Sequence, residues 1–219
     1  MESLTTRLHI LFNEQKRFEF PFKQQENEIP KNGIYIIFEN GEKFGDLDRI
    51  VRVGTHTGEN QLRSRLNQHF IKENKNRSIF RKNIGRCFLN KDKSSYLPFW
   101  ELDTTSKADK KKNLKLLNLD FEKQLEKKIS DYIQTNLSFC VFQVEKKSQR
   151  LCWESKIIST LAKSNELKPS ENWLGNFSTK EKIKNYGLWQ VNELFNESLT
   201  ENEFKILKEG LSKPKTLYC

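Results

Sequence analysis

No stretch of this sequence approaches the roughly 18 consecutive apolar residues that a membrane-spanning helix requires, so a helical bilayer anchor is not expected. Residues Met1 to Leu11 lack the charged-then-apolar build of a secretory signal, and the chain is expected in the cytoplasm. Cysteine is sparse. Cys87, Cys140, Cys152 and Cys219 form no CxxC pair and have no histidine at ligand spacing, so neither a zinc site nor a disulfide framework is expected and the thiols are read as reduced. Internal repeats and a low-complexity domain are also missing, which leaves the 219 residues as one domain with embellishments.

What the chain does have is positive charge and large aromatic anchors. Its 39 Lys and Arg outnumber 29 Asp and Glu, and the resulting +10 attracts polyanions. Nucleic acid, DNA above all, is the first partner to consider; a membrane surface is the other polyanion and is not favoured. With 16 Phe and 4 Trp the chain can still build a core although only 35% of it is apolar.

The patterning predicts an α+β fold: a small central β-sheet of three or more strands with an N-proximal hairpin, flanked by helices. Thr5 and Thr6 precede a short amphipathic helix carrying Leu8, Leu11 and Phe12. Residues 33–38 (GIYIIF) and 49–54 (RIVRVG) read as a hairpin whose strands are apolar on both faces. Helices are predicted over 61–72 and from the Ser78 cap through SIFRKNIGRCFL; a lysine-rich stretch then leads into a helix bearing Leu125, Ile129, Tyr132 and Ile133. SFCVFQV (138–144) reads as a third strand, followed by a helix over about 151–162, one capped by Ser178 with Glu181, and a last one opened by Thr200 with Glu203. The corresponding division is an N-terminal helical extension (1–30), a core domain (31–192) with a helical insertion at about 92–136, and a C-terminal helical tail (193–219).

Two helices carry charge where a core face belongs. Leu62, Arg65, Leu66 and His69 fall at i, i+3, i+4 and i+7, placing a guanidinium and an imidazole on the apolar stripe. The stripe Leu151, Glu154, Ile158 and Leu161 has a carboxylate in its middle, which must be protonated, paired or bound to a cation. Arg65 snorkelling to water, or pairing with Glu154 in the core, is the structural alternative. Tyr35 and Arg52 project from the hairpin strands. A phenol, a guanidinium and an isolated carboxylate are the parts needed to cut a phosphodiester: proton acceptor, charge stabiliser and metal ligand.

In this order the residues resemble the GIY-YIG nuclease superfamily. Gly33, Ile34 and Tyr35 match its first motif, Arg52, Val53 and Gly54 stand at its second, RLNQH from Arg65 to His69 matches its Arg-bearing helix, and Glu154 lies on a later helix. RVGTH (52–56), RSIFRKNIG (77–85), NWLG (172–175) and GLW (187–189) look like a bacterial branch, and the resemblance spans about residues 31–192. It implies a metal-dependent endonuclease acting on DNA, with Tyr35, Arg52, Arg65, His69 and Glu154 as the catalytic set and Glu154 holding Mg²⁺ or Mn²⁺. Arg77, Arg81, Lys82, Arg86 and Asn165 are expected to bind substrate, and a homodimer is one arrangement it allows. Arg52 replaces the tyrosine of the second motif; a fold that keeps DNA binding without cleavage is the alternative.

Overall fold

The computed structural model describes residues 2–212 and Cys219. Four antiparallel strands form one sheet in the order β1-β4-β2-β3, with β1 at Phe18–Glu19, β2 at Gly33–Phe44, β3 at Leu47–Gly54 and β4 at Leu137–Gln143. The predicted hairpin is β2 and β3, joined through Gly45, whose φ of 59° supplies the positive first position of a primed two-residue turn. The two-residue β1 escaped the sequence reading because it is too short to show a period.

Helices cover both faces, as the doubly apolar strands require. On one face α1 (Leu4–Asn13), α7 (Lys147–Ala162) and α9 (Glu201–Ser212) bury Leu8, Phe12, Trp153, Ile157 and Leu207 against Ile34, Ile36 and Phe38. On the other, α2 (Leu62–Phe70), α3 (Ile79–Lys91) and α6 (Leu119–Asn136) bury Leu66, Phe80 and Ile129 against Tyr35 and Ile37. The short helices α4 (Leu97–Trp100) and α5 (Lys107–Asn113) lie between α3 and α6, and α8 (Glu181–Tyr186) follows α7. Alternation along β2 sends Tyr35 and Ile34 to opposite faces.

A buried carboxylate fastens the later segments to the sheet. Glu39 accepts hydrogen bonds from Trp173 Nε1 and Trp189 Nε1, both at 2.9 Å, and from the Tyr132 hydroxyl. Burial raises its pKa despite these donors.

Several local expectations need correction. Ser3, not the two threonines, caps α1 by accepting from the Thr6 N–H at 3.1 Å. Ser178 accepts from Lys180 N at 3.0 Å and stands outside α8, which begins at Glu181. Leu151 is exposed; α7 turns Trp153, Ile157, Ile158 and Leu161 inward instead. The thiols are not all reduced: Cys152 and Cys219, separated by 67 residues, form a disulfide that sequence spacing had no means to announce. The Thr200–Glu203 capping box is present, each residue's side chain accepting from the other's backbone N–H.

Candidate active site

Tyr35 and Arg52 share a sheet face because Tyr35 pairs with Gly54 and Ile37 with Arg52 across the hairpin. The glycine is required: a Cβ at Gly54 would overlap the Tyr35 ring and its oxygen. The phenol oxygen lies 2.8 Å from His69 Nε2, and His69 Nδ1 lies 2.7 Å from Ser78 Oγ, which also caps α3 by accepting from Arg81 N at 3.2 Å. Burial first, then the charges of Arg65, Arg52 and Arg81, hold the imidazole well below its usual pKa, so it is neutral near pH 7. A neutral imidazole donates from one nitrogen and accepts at the other, so a ring that donates from Nδ1 to Ser78 Oγ presents Nε2 to accept the Tyr35 hydroxyl.

Arg65, half-buried on α2, donates from Nη1 to Arg77 O at 3.1 Å and to Gln68 Oε1 at 3.2 Å. Arg52 is buried over the Phe80 ring at 5.0 Å and donates to Trp189 O, while its Nε is buried without a partner among the described residues. Glu154 comes from the opposite layer and reaches the end of β3, where Oε1 accepts from Thr55 N at 3.0 Å. Burial raises its pKa to about 7, opposed by Arg52, the Thr55 N–H and Arg65. Among the described residues no cation lies within ion-pair distance of this carboxylate, so the core Arg65–Glu154 pair does not form. The positive charges of Arg52 and Arg65 act on both His69 and Glu154, so these four groups share one electrostatic environment, and Tyr35 joins it through its hydrogen bond to His69.

Two residues of the RVGTH run that carried no assigned role hold this cluster together. Thr55 Oγ1 donates to Gly33 O at 2.7 Å while the Thr55 N–H holds Glu154. His56 Nδ1 lies 2.7 Å from Gly58 O, and a carbonyl only accepts, so the proton is on Nδ1 and Nε2 accepts from Gly33 N at 3.3 Å. Both backbone groups of the glycine that begins GIY are thus clamped by the residues that follow RVG. Their position next to a matched motif was the only signal in the sequence.

The basic helix does not present the phosphate-gripping face expected of it. Arg81 is fully buried, donating to Glu126 Oε2 at 2.9 and 2.8 Å, to His69 O and to Ser130. Arg86 is buried and forked onto Glu101 at 2.5 and 2.6 Å; Lys82 donates to Glu101 O at 2.9 Å. Arg77 alone of the four is exposed. Asn165 is exposed beyond the C-terminus of α7, beside Glu166, which binds Ser3 and Thr6. The rise of a helix puts the end of α7 roughly 12 Å past Glu154, so Asn165 is outside the cluster. Arg81→Ala is expected to leave Glu126 stranded and to lower unfolding stability by about 3–5 kcal/mol in denaturant titrations, without changing the salt slope of DNA binding. Arg77→Ala should instead leave stability alone and make that slope shallower by about one unit.

Among the described residues no three His, Cys, Asp or Glu side chains gather as a metal cage. Glu154 nevertheless fits a hard divalent cation: it is a carboxylate with no ion-pair partner among the described residues, one oxygen uses a single N–H, and remaining ligands can be water and substrate phosphate. No helix among the described residues is long and apolar enough to cross a membrane.

No curated protein and no solved structure matches the chain. A family model described as GIY-YIG domain matches residues 3–215, taking in the first and last helices as well as the sheet. With that match and a sheet that gathers the residues of both motifs at one end, the protein belongs to the GIY-YIG family and has a nuclease-type fold.

Proposed function

We propose that the protein is a metal-dependent endonuclease that hydrolyses DNA phosphodiester bonds. What supports this reading is that Tyr35 bonds His69 beside one end of the hairpin, Glu154 reaches Thr55 at the end of β3 from the opposite layer, and the charges of Arg52 and Arg65 act on both His69 and Glu154. Tyr35 takes the proton of the attacking water as it hands its own hydroxyl proton to Nε2 of the neutral His69, while the Nδ1 proton stays on the ring, hydrogen-bonded to Ser78 Oγ, and keeps Nε2 as the accepting nitrogen. Arg65 stabilises charge growing on the non-bridging oxygens, and Arg52 supports the same field from the floor of the site. Glu154 would hold one Mg²⁺ or Mn²⁺, which supplies Lewis-acid stabilisation of the leaving oxygen. One such cluster per chain cuts one strand at a time, so cleavage of both strands takes either a second copy or a second cutting event by the same site.

The work is assigned to the cytoplasm, where a reducing poise would act against the Cys152–Cys219 link. Full burial of Tyr35 favours one rival, a DNA-binding module on the same fold without catalysis. Supercoiled plasmid separates the two: nicking that needs Mg²⁺ or Mn²⁺ and stops with chelator is expected. Salt-sensitive binding without nicking under either metal would establish the rival.

A further inference from the structure

Helix α2 has two faces with opposite fates. Leu62, Leu66, His69 and Phe70 are buried in the core, which fixes the helix against rolling about its axis. Gln61, Ser64, Arg65 and Gln68 fall at i, i+3, i+4 and i+7 and so share the other face. With Thr55, His56 and Thr57 they line a cavity of about 290 Å³. Through Arg65 and Thr55 this cavity is continuous with the candidate active site.

The lining narrows the ligand. It holds one guanidinium, no carboxylate and no aromatic ring apart from the His56 imidazole, whose two nitrogens are committed to Gly58 and Gly33. A metal ion therefore has no anionic ligand there and an unstacked base has no platform. A run of phosphates would ask for more than one cation. What remains are amides and hydroxyls, which donate and accept together. Gln68 gives its Oε1 to Arg65 and keeps its amide N–H groups, while the Gln61 and Ser64 side chains make no hydrogen bond with the described residues. Such groups match the mixed donor and acceptor edges of base pairs, and a major groove roughly 12 Å wide admits an α-helix. Seven residues of helix separate Gln61 from Gln68 by roughly 10 Å, about three base-pair steps.

Resting on the nuclease reading, the geometry points to this face of α2 as the element that reads sequence: with Arg65 at the scissile phosphate, Gln61 and Gln68 contact base edges of duplex DNA beside the cut. Gln68 has a second task, holding the Arg65 guanidinium in place. The test is cleavage of a duplex pool randomised around a fixed centre, with the cut ends sequenced for wild type, Gln61→Ala and Gln68→Ala, each first shown by its melting temperature to be folded. Wild type should cut with a base preference at positions within about three steps of the break, and each substitution should weaken the preference at its own position about fivefold or more. Uniform cutting by wild type, or unchanged preferences in both variants, overturns base reading and leaves the nuclease reading intact. If none of the proteins cuts under Mg²⁺ or Mn²⁺, hydrolysis fails separately, and gel-retardation selection from the same pool decides base reading. A wild-type binding preference flattened in the variants upholds it, and identical profiles overturn it.

Discussion

Glu154→Ala is expected to abolish divalent-dependent nicking, by on the order of 10³-fold or more, while the protein loses little stability near pH 8. Stability is the discriminating readout. Burial raises the Glu154 pKa to about 7, so the folded protein holds this proton more tightly than the unfolded chain. The group therefore adds no charge-burial penalty below its unfolded value of about 4.5; the penalty grows as pH rises toward 7 and is complete above it. Removing such a carboxylate relieves that penalty at pH 8 and so offsets the loss of the acceptor for the Thr55 N–H, whereas removing one member of a core ion pair would only weaken the fold. The same titration predicts that wild-type nicking increases with pH through about 7, and that the midpoint moves down as Mg²⁺ is raised, because cation and proton compete for one carboxylate. Unaltered nicking by Glu154→Ala would remove the metal assignment; lost nicking together with a large fall in melting temperature would mark Glu154 as structural.

Tyr35→Phe should lower the single-turnover cleavage rate by about 10²–10⁴-fold, the range of a positioned general base. The phenol also satisfies His69 in a fully buried setting, so its loss leaves an imidazole nitrogen unpaired and should lower stability by about 1–3 kcal/mol. Thermal melts read that second effect independently of cleavage, and DNA affinity should be nearly unchanged. A phenylalanine variant that cuts at the wild-type rate would transfer the proton-accepting role away from Tyr35.

Much of the site was legible because it rests on short-range pattern. The strands of the hairpin announced themselves by β-branched residues on both faces, and the stripe Leu62, Leu66 and His69 went to the core as its period required. His69 looked anomalous there for a good reason: it is buried because two hydroxyl groups, Tyr35 and Ser78, satisfy both its nitrogens. Period was less informative on α7, where Leu151 is exposed and Trp153 lies inside, since the helix is apolar around more than one stripe.

The sequence by itself determined the β2–β3 hairpin, the burial of its two faces, the order of Tyr35, Arg65, His69 and Glu154, and a positive balance suited to DNA. Tertiary structure decided which charges are free. Arg77 and Arg81 stand four residues apart on either side of the Ser78 cap, yet Arg81 is consumed by Glu126, 45 residues away on α6, and Arg86 by Glu101, 15 residues away in the segment before α5. Only the folded chain brings those carboxylates to the basic helix, and only it carries Glu154 past the end of β3 to Thr55. Periodicity assigns a side chain to a face of its own element, but an ion pair depends on what packs opposite that face.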